Sequence, residues 1–342
     1  MITFYNSKKH TTMEQSAMKE YITNAMISLR DKGYMTLDLI KLGIYTAEEI
    51  QEMQDICMSE YYKYFTDRGL KLADIKIDLT KKLEKNPYFR QGKDSPMFKA
   101  MYGHKSKDGR EYINTRVPAN ATNCGMGQAT SQKSTYYHDR LNEQREKLRP
   151  LMKSLYGEPV KRHLTRFGLK LPPSKDMQLH TDMSYIEANK NNPPKMRDAD
   201  DPVAYHPFAQ NGRFQRLQMT IGLNNSEAGW YGYEGAHLQY DNIGDKLGWP
   251  GKTRTIQKIS PKIMKDLGLK RVNIPSKFGQ AIIWNCGLPH GNTPCKEIPR
   301  LTLYVNYQPD TTDTVADRII GLGNQPNEKK STKNINTNNN KN

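Results

Sequence analysis

The stretch Gln178-Leu179-His180-Thr181-Asp182 decides how this chain is read. From Asp176 to Tyr185 the residues alternate in character. Met177, Leu179, Met183 and Tyr185 fall on one side, and Gln178, His180, Asp182 and Ser184 on the other. A period of two predicts a half-buried β-strand, in which residues i and i+2 share a face. An imidazole and a carboxylate then stand side by side on the polar face. Alone, the pair is a weak signal. In a chain with eight histidines such spacing arises by chance, and a surface His beside a solvated Asp is its ordinary explanation.

A distal partner changes the weighting. Gly279-Gln280-Ala281-Ile282-Ile283-Trp284-Asn285 reads as a short apolar strand after a glycine turn, and it runs on through Cys286-Gly287-Leu288-Pro289 to His290. Ten residues later Arg300 opens another strand, reaching Tyr307. Arg300, Thr302, Tyr304 and Asn306 share one of its faces, and Leu301, Leu303 and Val305 the other. Two imidazoles and one carboxylate on one face of a metal ion, with the opposite face open, are a donor set suited to Fe(II). His180, Asp182 and His290 are the candidate metal ligands. His237, in the run Glu234 to Tyr240, is the rival third ligand, although the nearest following candidate, Arg254, lies seventeen residues on. His206, between Tyr205 and Pro207, is a weaker rival.

These residues in this order (His180-Thr181-Asp182, then His290, then Arg300 with Thr302 two further on) resemble the Fe(II)/2-oxoglutarate-dependent dioxygenase superfamily, nearest to its phytanoyl-CoA dioxygenase-like branch. The motifs span about residues 160 to 310, Lys32-Gly33-Tyr34 with Thr46 to Ile50 adds a weaker echo of the family's entry strand and helix, and Glu234 to Tyr240 resembles its turn into the fifth core strand. The resemblance implies a mostly β core with flanking helices, an α+β chain built on a double-stranded β-helix of jelly-roll or cupin-like type. It implies Fe(II), 2-oxoglutarate and O2 as cofactors, with ascorbate in support. Arg300 would pair with the distal carboxylate of 2-oxoglutarate, and Thr302 would add a hydroxyl. Halogenating relatives lack the carboxylate ligand, so Asp182 favours hydroxylation. Gln178, Gln218, Thr220, Trp284, Tyr304 and Asn306 are expected at the pocket, although strand residues of these kinds commonly serve packing. The interval from His180 to His290 exceeds that of many members and implies insertions.

Composition sets the outer bounds. The 342 residues, 36% of them hydrophobic, suffice for one large domain or two modest ones. No apolar run approaches the length of a membrane helix, and the N-terminus has no apolar signal region, so a cytoplasmic protein is expected. The four cysteines form no CxxC pair, which argues against a zinc site or disulfide framework. Excess Lys, Asn and Ile point to an AT-rich genome such as that of a virus or phage. The net charge of +16 favours acidic partners. Residues 251–277 concentrate it, with eight Lys or Arg against Asp266 alone. A solvated insertion explains such a run, and so does an anion-binding rim at the pocket mouth. The substrate class stays open between a small or acidic molecule, nucleic acid and a protein side chain. A metal-free jelly-roll binding module is the alternative from another class. Oligomeric state is unread.

Three regions follow. Residues 1–158 are expected as a helical support packed on the core. A helix over 13–31 ends at Gly33, and a strand follows from Tyr34 to Leu42. Thr46 with Glu49 forms a capping box for a helix running to about Phe65. A mixed helical stretch covers Leu70 to Tyr102. Asn120 to Ser131 is a small-residue loop near the site at best. A helix over 139–156 is kinked or split by Pro150. Residues 159–312 are the catalytic β-helix, with strands near His163 to Leu171 and Phe214 to Leu223 and insertions at 189–213 and 244–277. Residues 323–342, rich in Asn and Lys, form a disordered tail.

Overall fold

The computed structural model describes residues 15–83, 138–156, 159–174, 176–182, 217–248 and 257–309, with a few more between 96 and 113. Two five-stranded antiparallel sheets carry the fold. The first takes, in spatial order, β1 (Tyr34–Asp38), β10 (Gln280–Asn285), β6 (Leu217–Gly222), β12 (Arg300–Pro309) and β4 (Val160–Lys170). The second takes β8 (Gln257–Lys258), β5 (His180–Thr181), β11 (His290–Asn292), β7 (Ser226–Tyr233) and β9 (Arg271–Ser276). A separate hairpin pairs β2 (Gly103–Lys105) with β3 (Glu111–Ile113). From β4 onward the chain passes back and forth between the two large sheets. That winding is a jelly roll, the double-stranded β-helix expected from the motifs.

The first sheet is covered on both faces. Outside lie α1 (Gln15–Lys32), α2 (Ala47–Thr66), α4 (Asp139–Glu146) and α5 (Arg149–Tyr156), with the short α3 (Leu72–Ile75) after α2. Leu29, Ile50, Met53, Phe65 and Met152 from these helices form one core with the outward residues Phe167, Leu169, Met219, Ile283, Leu301, Leu303 and Val305. Buried tyrosines tie the layers. The Tyr45 hydroxyl donates to the Gln144 carbonyl at 2.6 Å, the Tyr156 hydroxyl to the Tyr307 carbonyl at 3.0 Å, and the Tyr307 hydroxyl to the Arg145 carbonyl. The inner face meets the second sheet through Trp230, whose ring centroid lies 5.2 Å from Tyr34 and 5.9 Å from Trp284.

Local chemistry explains the boundaries. Thr46 caps α2 reciprocally with Glu49. Gly33, at φ 85°, ends α1 in a left-handed conformation. The helix expected over 139–156 is two helices, and Pro150 sits in the first turn of the second, where its missing N–H goes unneeded. β1 stops at Asp38 rather than Leu42, because the Asp38 carboxylate accepts from Ile40 and Lys41 N–H and starts a turn.

Three expectations are revised. The strand read from Asp176 to Tyr185 is, within the described residues, only His180–Thr181, although Met177 N–H still reaches the Asn292 carbonyl at 2.9 Å. The run Glu234 to Tyr240 leads into a 3₁₀ turn over Ala236–Gln239 and then α6 (Tyr240–Leu247), not into a strand. Its buried Tyr240 and Ile243 are spaced for a helix. Within 244–277, read as an insertion, β8, α7 (Pro261–Asp266) and β9 appear, and β9 pairs with β7 from Tyr233↔Arg271 to Ser226↔Ser276. Flanking lysines and arginines hid the short apolar alternation of Val272 and Ile274 there. The loop Asn120 to Ser131, the segment 189–213 with His206, and the tail 323–342 lie outside the described residues.

Leu303→Ala, in the fully buried row of β12, is expected to cost about 2–5 kcal/mol through cavity formation. Thr46→Ala should cost only about 1 kcal/mol through the lost cap. Urea unfolding of both variants checks the order, and equal shifts in midpoint would contradict it.

Candidate metal centre

β5 and β11 are neighbours in the second sheet, and His180 lies directly opposite His290 in their register. Opposed residues of an antiparallel pair project to the same face. Two histidines distant in sequence therefore meet, with ring centroids 4.6 Å apart. Asp182, just past β5, is held by its backbone N–H on the Cys286 carbonyl at 3.2 Å. Its Oδ2 is 3.2 Å from His290 Nε2 and its Oδ1 3.9 Å from His180 Nε2. One ligand atom from each residue falls within 4.8 Å of the other two. Among the described residues this is the one such group of His, Cys, Asp or Glu.

Both imidazoles are oriented identically. His180 Nδ1 lies 2.8 Å from the Gln178 carbonyl, and His290 Nδ1 lies 2.8 Å from the Leu288 carbonyl. A carbonyl can only accept, so each Nδ1 carries the proton and each Nε2 presents a lone pair to the centre. Burial, and then the neighbouring His290 ring, pushes His180 toward its neutral form. For Asp182, burial favours protonation, but the closeness of His290, His180 and the Arg166 guanidinium outweighs it and holds the carboxyl well below the usual range. Two lone pairs and a carboxylate facing one another repel. A divalent cation between them removes that conflict, and nitrogen and oxygen donors of this kind fit Fe(II).

Trp230 and Trp284 wall the centre. Trp230 stacks near-parallel to His290 at 6.4 Å between ring centroids, and Trp284 lies 5.1 Å away at a tilt. Trp230 also lines a small cavity together with Thr220, Gln280, Ile282, Arg300 and Thr302. Arg300 Nη1 donates to Asn292 Oδ1 at 2.6 Å, which fixes the guanidinium from β11, two residues past His290. Arg300 Nε, Thr302 Oγ1 and Trp230 Nε1 are buried without a partner in the protein. Unpaired buried donors are costly, and three around one small cavity mark a place for an acceptor such as a carboxylate.

The other expected residues separate. Thr220 faces the cavity and Trp284 flanks His290. Gln218 lies opposite Trp284 in the first sheet. Gln178 is exposed, and it is its carbonyl rather than its side chain that serves the centre. Tyr304 lies under Arg166 rather than in the cavity lining. Asn306 sits at a bulge in β12, where its side-chain oxygen accepts from Met219 N–H at 3.2 Å, a structural task. The rival His237 stands away from the centre. It is fully buried in the 3₁₀ turn, with Nε2 2.8 Å from the Arg30 carbonyl, and burial lowers its pKa to about 4. Reasoning from sequence missed Trp230, Asn292 and the two carbonyls. Asn292 carried a signal, being at i+2 from His290. In the basic stretch, Arg271 is committed to a bidentate pair with Asp176 and stacks on Tyr231 at 3.9 Å.

No family model and no curated protein matches the chain. Solved structures of similar shape include AviO1 from Streptomyces viridochromogenes Tue57, 15% identical, with a TM-score of 0.48 and coverage of 89% of this chain and 99% of that one. The non-heme alpha-ketoglutarate-dependent carbocyclase SnoK of nogalamycin biosynthesis is 12% identical at a TM-score of 0.46, over 86% and 89% of the two chains. EctD from S. alaskensis with bound Fe is 13% identical at 0.42, over 89% and 80%.

His237 supplies a pH test. Its pKa is about 4 folded against about 6.5 for a free imidazole, so the unfolded chain binds the proton more tightly. Its stabilising contribution is present above about pH 6.5 and is lost as pH falls toward 4, by up to about 3 kcal/mol. Urea unfolding of wild type and His237→Gln at pH 7 and pH 4.5 should show a smaller acid loss in the variant. An equal loss in both would contradict the assignment.

Proposed function

We infer that this protein is an Fe(II)- and 2-oxoglutarate-dependent oxygenase of the hydroxylase type. The observation that carries the reading is the convergence of two Nε2 lone pairs and the Asp182 carboxylate beside a small cavity whose buried donors lack partners. Ferrous iron with 2-oxoglutarate and O2 would supply oxidation of a substrate C–H bond, coupled to decarboxylation of the keto acid to succinate. His180, Asp182 and His290 would hold the iron and leave its opposite face open. Arg300, kept in place by Asn292, would take the distal carboxylate of 2-oxoglutarate through a charge-assisted pair, with Thr302 donating a further hydrogen bond. Trp230 and Trp284 would exclude water from the keto-acid side and keep the His290 ring from turning. Asp182 fills the carboxylate position, which favours hydroxylation over halide transfer.

Expected outcomes follow from these roles. Asp182→Ala and His180→Ala should lose 2-oxoglutarate turnover while keeping the wild-type circular dichroism spectrum. Arg300→Ala should retain iron and raise the 2-oxoglutarate concentration needed by about tenfold or more, the scale of one charged hydrogen bond. Purified protein given Fe(II) and ascorbate that neither binds 2-oxoglutarate nor forms succinate would sink the reading.

A further inference from the structure

Arg166 has so far appeared only as a charge near Asp182, with Tyr304 beneath it. It lies on β4 directly opposite Tyr304 of β12. In the same register Gly168 faces Thr302 and Lys170 faces Arg300, so three cations share the inner face of the first sheet. Two of them are committed. Arg300 is bound to Asn292, and Lys170 Nζ donates to the Thr293 carbonyl at 2.6 Å. Arg166 is different. Its guanidinium carbon lies 5.0 Å from the centroid of the Tyr304 ring, and its Nε is buried without a partner in the protein. Gly168 lets that ring lie across β4, because a Cβ there would come within 3.1 Å of it. The guanidinium is thus held over an aromatic face while its Nε lacks an acceptor in the protein.

Its position separates it from the keto-acid cavity. Four residues of strand divide Arg300 from Tyr304, about 14 Å at roughly 3.4 Å per residue. The terminal carbons of a five-carbon diacid are only about 5 Å apart, given bonds of about 1.5 Å. Neither Arg166 nor Tyr304 lines the cavity that holds the unpaired donors of Arg300 and Thr302. Arg166 nevertheless shares with Arg300 and Thr302 the inner face of the first sheet, which is turned toward the second sheet that carries His180 and His290. A buried guanidinium nitrogen without an acceptor is costly to keep unless a ligand supplies one.

We propose that Arg166, carried on the Tyr304 ring, is the anchor for a carboxylate of the primary substrate, which is therefore an organic acid and not a neutral molecule. The inference rests on the reading of the centre as a 2-oxoglutarate-dependent iron site. With its Nε lacking an acceptor, the guanidinium can offer Nε and an Nη to a carboxylate in a planar, two-point pair, and the anchor would orient the carbon skeleton over the open face of the metal.

The test uses Co(II)-loaded protein saturated with 2-oxoglutarate, titrated with benzoate and, separately, benzamide. Paramagnetic line-broadening of the probe's ring protons is the readout. Benzoate should broaden and benzamide should not. Arg166→Gln should weaken benzoate binding about tenfold or more, with 2-oxoglutarate affinity changed less than about twofold. Arg166→Lys, which keeps charge without the fork, should recover part of the benzoate effect. Equal broadening by both probes, no broadening by benzoate, or unchanged benzoate binding in Arg166→Gln would overturn the proposal. So would a tenfold loss of 2-oxoglutarate affinity in Arg166→Gln, which would reassign the residue to the keto acid. Failure of the wild type to bind Co(II) or 2-oxoglutarate would instead defeat the underlying reading of the centre, and it registers before any probe is added.

Discussion

Two backbone hydrogen bonds, from His180 Nδ1 to the Gln178 carbonyl and from His290 Nδ1 to the Leu288 carbonyl, are the constraint on which the centre depends. Each bond runs to the carbonyl two residues back, so each histidine is oriented by its own strand rather than by a distant side chain. The pairing of β5 with β11 then brings two such histidines into direct opposition. Tautomer, ring plane and direction of both lone pairs are set together. Asp182 enters this arrangement as the third donor and the negative charge, giving a net −1 set matched to a divalent ion.

The surrounding fold protects that geometry. The first sheet is buried on both faces, by helices outside and by the second sheet inside, so β12 and β10 cannot slip in register without moving a whole row of apolar side chains. Arg300 and Thr302 lie on the inner face of β12, and Leu301 and Leu303 on its buried outer face. The strand that carries Arg300 is therefore itself fixed by hydrophobic packing. Unpaired polar groups persist inside the barrel because the packing around them holds without their hydrogen bonds, a pattern expected where a ligand completes the structure.

Much of this was legible in the residues. His180, Asp182, His290, Arg300 and Thr302 were named from spacing and resemblance; the alternation is real along β12, whereas the strand read around His180 is only two residues long and Asp182 lies just past it. The capping box at Thr46 and the break at Pro150 were legible because local chemistry acts on its own neighbours. What escaped was long-range. β9 was obscured by basic residues whose solvent-facing positions say nothing of the partner strand. His237 offered ligand chemistry, and only the tertiary structure shows it turned to the Arg30 carbonyl in the core. Asn306 shared a face with Arg300 in sequence, but the bulge between Val305 and Tyr307 breaks that register and gives it a backbone partner instead. Trp230 lies on a strand whose period is interrupted by Gly229 and Gly232, so its contact with His290 could not be read locally.

Anaerobic titration of Fe(II)-loaded protein with 2-oxoglutarate, followed by visible absorption, tests the central claim most directly. As the proposed metal ligands, His180, Asp182 and His290 require that one equivalent of iron bind. They also require that one equivalent of the keto acid, chelating it through two oxygens, produce a metal-to-ligand charge-transfer band. Iron bound without any new band, or no iron retained at all, would contradict the centre described here.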